Sequence, residues 1–116
     1  MPRENREFSG TDDQPWEKVD EGVFQKILSK DDETGAYTRL LKFDPGANLN
    51  QLLSHDFYEE VYVVKGTLVD KTLNETFSEG MYAYRNPDMK HGPYFSPSGC
   101  MTVEFRYFGL KRKDEN

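Results

Sequence analysis

His55, Glu59 and His91 are the residues of this chain best suited to chemistry. The two histidines are its only ones, and Glu59 lies four positions after the first. Two imidazoles and one carboxylate make the ligand set of a facial-triad metal centre, which leaves coordination positions open for a substrate. Gly66 follows Glu59 by seven positions, and Gly80 and Pro87 precede His91. Glycine and proline at such places mark the turns that would bring distant ligands together. The set predicts one divalent transition metal per chain. Fe(II) is favoured by analogy with facial-triad oxygenases, and Zn, Ni or Mn also suit imidazole and carboxylate. Glu59 and its neighbour Glu60 cannot both face the site. On a strand, Glu60 would point the opposite way and pair with a basic group outside.

Arg39 and Arg85 are the candidate substrate contacts. Each lies in a strand-like run and shares a face with apolar residues: Arg39 with Leu41 and Phe43, Arg85 with Met81 and Ala83. A guanidinium in such company needs an anion. Two readings stay open: a substrate carboxylate or enolate, or an ion pair with Glu59 or Glu104. Tyr37, Tyr62, Tyr82, Tyr84, Tyr94 and Tyr107 could fill the core, line the cavity or close an intersubunit interface. The lone Cys100 has no basic cluster beside it and reads as a packing residue.

Strands must position these groups. Val23 to Leu28, Ala36 to Phe43, Glu60 to Val64, Thr67 to Lys71, Met81 to Arg85 and Met101 to Phe108 all read as strands. Asp31 to Gly35, Asp44-Pro45-Gly46 and Lys65-Gly66 read as the turns between them. In the last strand Met101, Val103, Phe105 and Tyr107 share one face; Thr102, Glu104 and Arg106 share the other. Many short strands of period two predict an all-β antiparallel sandwich or small barrel. Nothing in the chain has helical periodicity. The same alternation sends Leu53 to the side of His55, and Val61 and Val63 to the side of Glu59. The pocket is therefore predicted to be mostly apolar, lined by Leu53, Val61, Val63, Val103 and Phe105.

The chain has 116 residues, a formal net charge of −6 and one cysteine. That length suits one domain. Residues 1–14 and 110–116 are polar or charged and read as flexible arms around a domain at 15–109. Acidity argues against nucleic acid and anionic membranes, which need basic patches. A single cysteine suits a reducing cytosol, and no apolar run is long enough to span a bilayer. The expectation is a soluble cytoplasmic protein that binds a small molecule.

Two stretches resemble the paired motifs of the cupin superfamily. His55, Glu59 and Gly66 match the end of the first motif; Gly80, Pro87 and His91 match the second with one-residue slips. Pro15-Trp16, Pro45-Gly46, Glu59 to Gly66, Arg85-Asn-Pro87 and His91-Gly-Pro93 resemble the branch with ChrR-type anti-sigma cupins and acetylacetone-cleaving dioxygenases. The resemblance implies a double-stranded β-helix jelly roll, a metal at His55, Glu59 and His91, and a homodimer. Leu53 stands where the family carries a further histidine, and leucine binds no metal. The first functional reading is a dioxygenase-like enzyme acting on a small oxygen-chelating diketone or aryl ketone. The alternatives are a non-oxidative sugar-acid isomerase or lyase, and a small-molecule sensor with a degenerate metal site.

Overall fold

A computed structural model of the chain describes residues 2–109. The expectation for the tail at 110–116 lies outside the described residues. Nine strands and no helix occur among them: β1 (Glu17–Asp20), β2 (Val23–Lys30), β3 (Tyr37–Phe43), β4 (Ala47–Leu49), β5 (Tyr58–Asp70), β6 (Glu75–Ser78), β7 (Tyr82–Arg85), β8 (Tyr94–Ser96) and β9 (Cys100–Tyr107). No helix long and apolar enough to cross a membrane is present among these residues.

Local chemistry sets the turns. Asp31 Oδ1 accepts the amides of Glu33 and Thr34, and the Gly35 amide closes the loop on the Asp31 carbonyl at 2.7 Å. An aspartate side chain standing in for backbone in this way is a standard turn device. β2 and β3 then pair antiparallel from Val23↔Phe43 to Lys30↔Tyr37.

All strand pairs are antiparallel, and the path runs β1-β2-β3-β9-β5-β8-β4, with β6 and β7 also pairing with β5. The expected jelly-roll barrel is what forms. β5 is the difference. Instead of two strands joined at Lys65-Gly66, it is one 13-residue strand with a register shift between Val63 and Lys65. Its first part pairs with β7 and β9, the β9 ladder running across the shift to Gly66; from Thr67 on it pairs with β6 and β8. Such a bulge bends a strand so that it can serve two sheets. Gly66 makes the bend possible. Its φ is 81°, and a Cβ there would lie 2.1 Å from the Gly99 carbonyl oxygen.

Val23, Leu41, Phe43, Ala47, Val63, Leu68, Tyr94 and Cys100 form the buried apolar cluster, with Leu49, Leu53 and Phe77 against it. Burial pushes the Cys100 thiol up to about 11, consistent with a packing role.

The alternation of β9 is as expected, but its faces are reversed. Thr102 and Glu104 are buried at 1% and 7% exposure, whereas Phe105 is 40% exposed. Val103 and Phe105 therefore do not line the lumen. Period two separates two faces of a strand without saying which faces inward. Here the inward face of β9 is polar and its outward face aromatic. Glu60 lies on that outer wall, accepting hydrogen bonds from the Tyr82 and Tyr107 hydroxyls. Tyr62 and Val64 are also exposed there.

Residues before β1 follow the outer surface of β2 and β3. Arg3 donates to Ser29 Oγ and Thr38 Oγ1, Arg6 to the Leu28 carbonyl, and Lys26 Nζ to the Thr11 carbonyl.

Candidate functional site

The sheet register builds the lumen in rows. Directly opposed residues of antiparallel strands share a face. One row crosses β7, β5, β9 and β3 as Arg85, Glu59, Arg106 and Tyr37. The next crosses β5, β9 and β3 as Val61, Glu104 and Arg39. Both rows carry carboxylates beside guanidiniums, which is how buried charges are tolerated.

Each carboxylate is paired with one guanidinium. Arg85 Nη1 lies 2.7 Å from Glu59 Oε1, and Arg39 Nη2 lies 2.7 Å from Glu104 Oε1. Arg39 also bonds Gln25 Oε1, and Thr102 Oγ1 donates to Glu104. Of the two readings of Arg39 and Arg85, the ion pairs are thus formed. Burial, with the like charge of Glu104, pushes the Glu59 carboxyl above its usual range against the pull of Arg85.

His55 and His91 come from loops, between β4 and β5 and between β7 and β8. A bridge ties those loops together: the Leu53 amide donates to the His91 carbonyl at 2.8 Å and the His91 amide returns to Leu53 at 2.9 Å. The Asp88 amide adds a third tie, to the His55 carbonyl. The bridge puts the Leu53 and His91 side chains on one face, so leucine does occupy the place beside His91. The imidazoles lie 5.3 Å apart between centroids, and His55 stacks on Phe57 at 4.4 Å.

His91 has one nitrogen engaged and one bare. Nδ1 lies 3.0 Å from the Tyr94 hydroxyl, which also accepts from Arg85 Nη2. Nε2 is buried, has no hydrogen-bond partner among the described residues, and lies 4.0 Å from Glu59 Oε1. Burial, reinforced by Arg85, lowers the His91 pKa to about 3. Burial and then Arg39 lower that of His55. Both rings are neutral at pH 7, the form in which imidazole binds a metal.

His55, Glu59 and His91 thus meet at one end of the barrel. Their fit to a metal is partial. A bare nitrogen on a ring oriented through its other nitrogen is what a histidine ligand needs. Glu59, however, is committed to Arg85, and no three His, Cys, Asp or Glu side chains among the described residues are grouped to hold a metal. Two imidazoles are available, and a third ligand is not preassembled.

Residues 4–107 match the model of the ChrR cupin-like domain family. The chain belongs to this cupin family. It is similar in fold to an RmlC-like cupin from Shewanella frigidimarina (21% identity, 98% of each chain covered, TM-score 0.74). It is similar to an acetylacetone dioxygenase from Acinetobacter johnsonii (17% identity, 94% of this cupin and 78% of that chain, TM-score 0.73). The anti-sigma ChrR complex with SigE from Rhodobacter sphaeroides also matches (23% identity, 84% of this cupin and 51% of that chain, TM-score 0.67). No curated protein matches this cupin.

No motif marks Arg106 in the sequence. Its one local signal is its place with Thr102 and Glu104 on the polar face of the last strand, and only the register with β3 and β5 shows that this face turns inward.

Proposed function

We propose that this cupin is a small metal-dependent enzyme, dioxygenase-like in its chemistry, that takes an oxygen-chelating small molecule at the His55–His91 end of the barrel. The observation that carries the reading is the buried, unpartnered Nε2 of His91 beside the imidazole of His55. An unsatisfied polar atom in a buried place calls for a partner. The two imidazoles would hold a divalent metal, Fe(II) favoured, and Glu59 would join only on leaving Arg85. Such a metal supplies Lewis acidity toward the oxygens of a chelating ligand and, if iron, access to O2 chemistry.

The rest is done by the chain itself. Tyr94 fixes the His91 ring through Nδ1 and ties it to Arg85. Arg85 holds Glu59 in place, and Phe57 supports the His55 ring. The apolar outer wall, with Tyr62, Val64, Tyr82, Tyr84 and Phe105 exposed, supports a homodimer, since large aromatic patches favour a partner.

A second reading, a metal-free binding or non-oxidative cupin, draws on the Arg85–Glu59 pair and on Leu53. One experiment separates the two. The purified protein is analysed for metal and titrated with Zn(II), Ni(II) and, without oxygen, Fe(II); the iron form is then tested for O2 uptake with β-diketones and hydroxyaryl ketones. One metal per chain, lost in His91→Ala, is the expected result. Failure of every metal to bind would leave the second reading standing.

A further inference from the structure

We infer that Arg106 is the anchor for an anionic group of the ligand, a carboxylate or enolate on a small flat molecule. The inference rests on the reading that this end of the barrel holds a ligand. It does not require a metal.

The register makes the case. Glu59 has two lateral neighbours, Arg85 on β7 and Arg106 on β9. Glu59 pairs with Arg85 at 2.7 Å, while Arg106 forms no ion pair among the described residues. Arg106 Nε and Nη2 both donate to a single acceptor, the Gly35 carbonyl, at 3.2 and 2.9 Å. A guanidinium carries five N–H groups. Nη1 therefore has no acceptor among the described residues, although the group is only partly exposed. A neutral carbonyl does not balance a partly buried charge.

The surroundings hold that charge in place without neutralising it. The guanidinium lies 3.9 Å from the Tyr37 ring centroid and 4.8 Å from that of Phe57. Phe57 in turn stacks on His55, which places Arg106 next to the histidine end of the barrel. Three guanidiniums face two carboxylates there: Arg39 is paired with Glu104 and Arg85 with Glu59, which leaves Arg106 without a carboxylate among the described residues. A flat monoanion would neutralise it, accept from the idle Nη1 edge in the fork geometry guanidinium favours, and lie against aromatic walls.

The test uses the full chain stripped of metal with EDTA. Benzoate, pyruvate and neutral benzamide are titrated by calorimetry, and the Arg106 Nε–H resonance is followed by NMR. Benzoate is expected to bind about tenfold or more tightly than its isostere benzamide, as an anchored charge demands. The Arg106 resonance should move with either acid. Arg106→Gln should erase the preference and Arg106→Lys should keep part of it. Equal binding of benzoate and benzamide, no binding of either acid, or an unmoved Arg106 resonance would overturn the inference, and the NMR readout needs no variant to fold. Metal uptake is scored separately. Anion binding without metal uptake would sink the metal-dependent reading alone; metal uptake with a silent Arg106 would sink this one alone.

Discussion

Arg85 and Glu59 are direct cross-strand partners joined at 2.7 Å, and their side chains are only 13% and 6% exposed. Removing one partner of such a pair strands the other's charge in a dry place, at a cost of about 3 kcal/mol. Arg85→Gln should lower the urea midpoint accordingly. The double variant Arg85→Gln/Glu59→Gln should recover most of the loss. A single variant as stable as the parent would show that the pair does not matter to the fold.

Leu53 lies opposite His91 across a two-hydrogen-bond bridge. Leu53→His should therefore bring a third imidazole to the other two. Zinc affinity is expected to rise by about tenfold, or ~1.4 kcal/mol. Calorimetry in a competing chelator reads it directly. No gain would mean that the leucine side chain points away from the site.

Acid should weaken the metal-free protein through His91. Burial lowers the pKa of this imidazole from its ordinary 6.5 to about 3 in the folded chain. As pH falls below 6.5, the unfolded chain takes up the proton first, so stability is lost between about pH 6.5 and 3. Glu59 acts in the opposite sense, because its carboxyl is pushed up in the folded chain and its protonation there favours folding on acidification. Comparison with His91→Gln isolates the histidine. Between pH 7 and 4 the parent should lose about 1–3 kcal/mol relative to the variant. Parallel pH profiles would contradict the assignment.

Gly66 and Gly46 make a controlled contrast. Both have positive φ, 81° and 84°, but a Cβ at Gly66 would meet the Gly99 oxygen at 2.1 Å and one at Gly46 meets nothing within 4 Å. Gly46→Ala should lose about 1–2 kcal/mol from backbone strain alone. Gly66→Ala should lose more than ~3 kcal/mol or fail to fold, because backbone must move. Thermal unfolding of the two ranks them, and equal losses would remove the special status of the bulge.

Much of the fold was legible because period two is a local signal. β3 and β9 formed within a residue of their expected limits, and Glu59, Val61 and Val63 share the buried face. What was not legible depended on long-range pairing. Lys65-Gly66 has the composition of a turn, and only pairing on both sides shows it to be a bulge. The polar row of β9 faces inward because Glu104 and Arg106 find their neighbours on β3 and β5, which no local pattern states. The meeting of His55 and His91 rests on the Leu53 bridge, a contact between loops 38 residues apart. The apolar company of Arg39 and Arg85 signals a need for anions; the register supplies acids of the chain itself.

β9 lies between β3 and β5, and both of those neighbours precede it in the chain. During synthesis, strands up to Asp70 are complete while the strand that joins β3 to β5 is still missing. Until Cys100–Tyr107 emerges, Leu41, Phe43 and Val63 have no shared wall to close over them. Late, non-local closure of this kind slows folding and leaves nascent chains prone to stick to one another. Yield of soluble protein should therefore depend on how long β2, β3 and β5 must wait for their final neighbour.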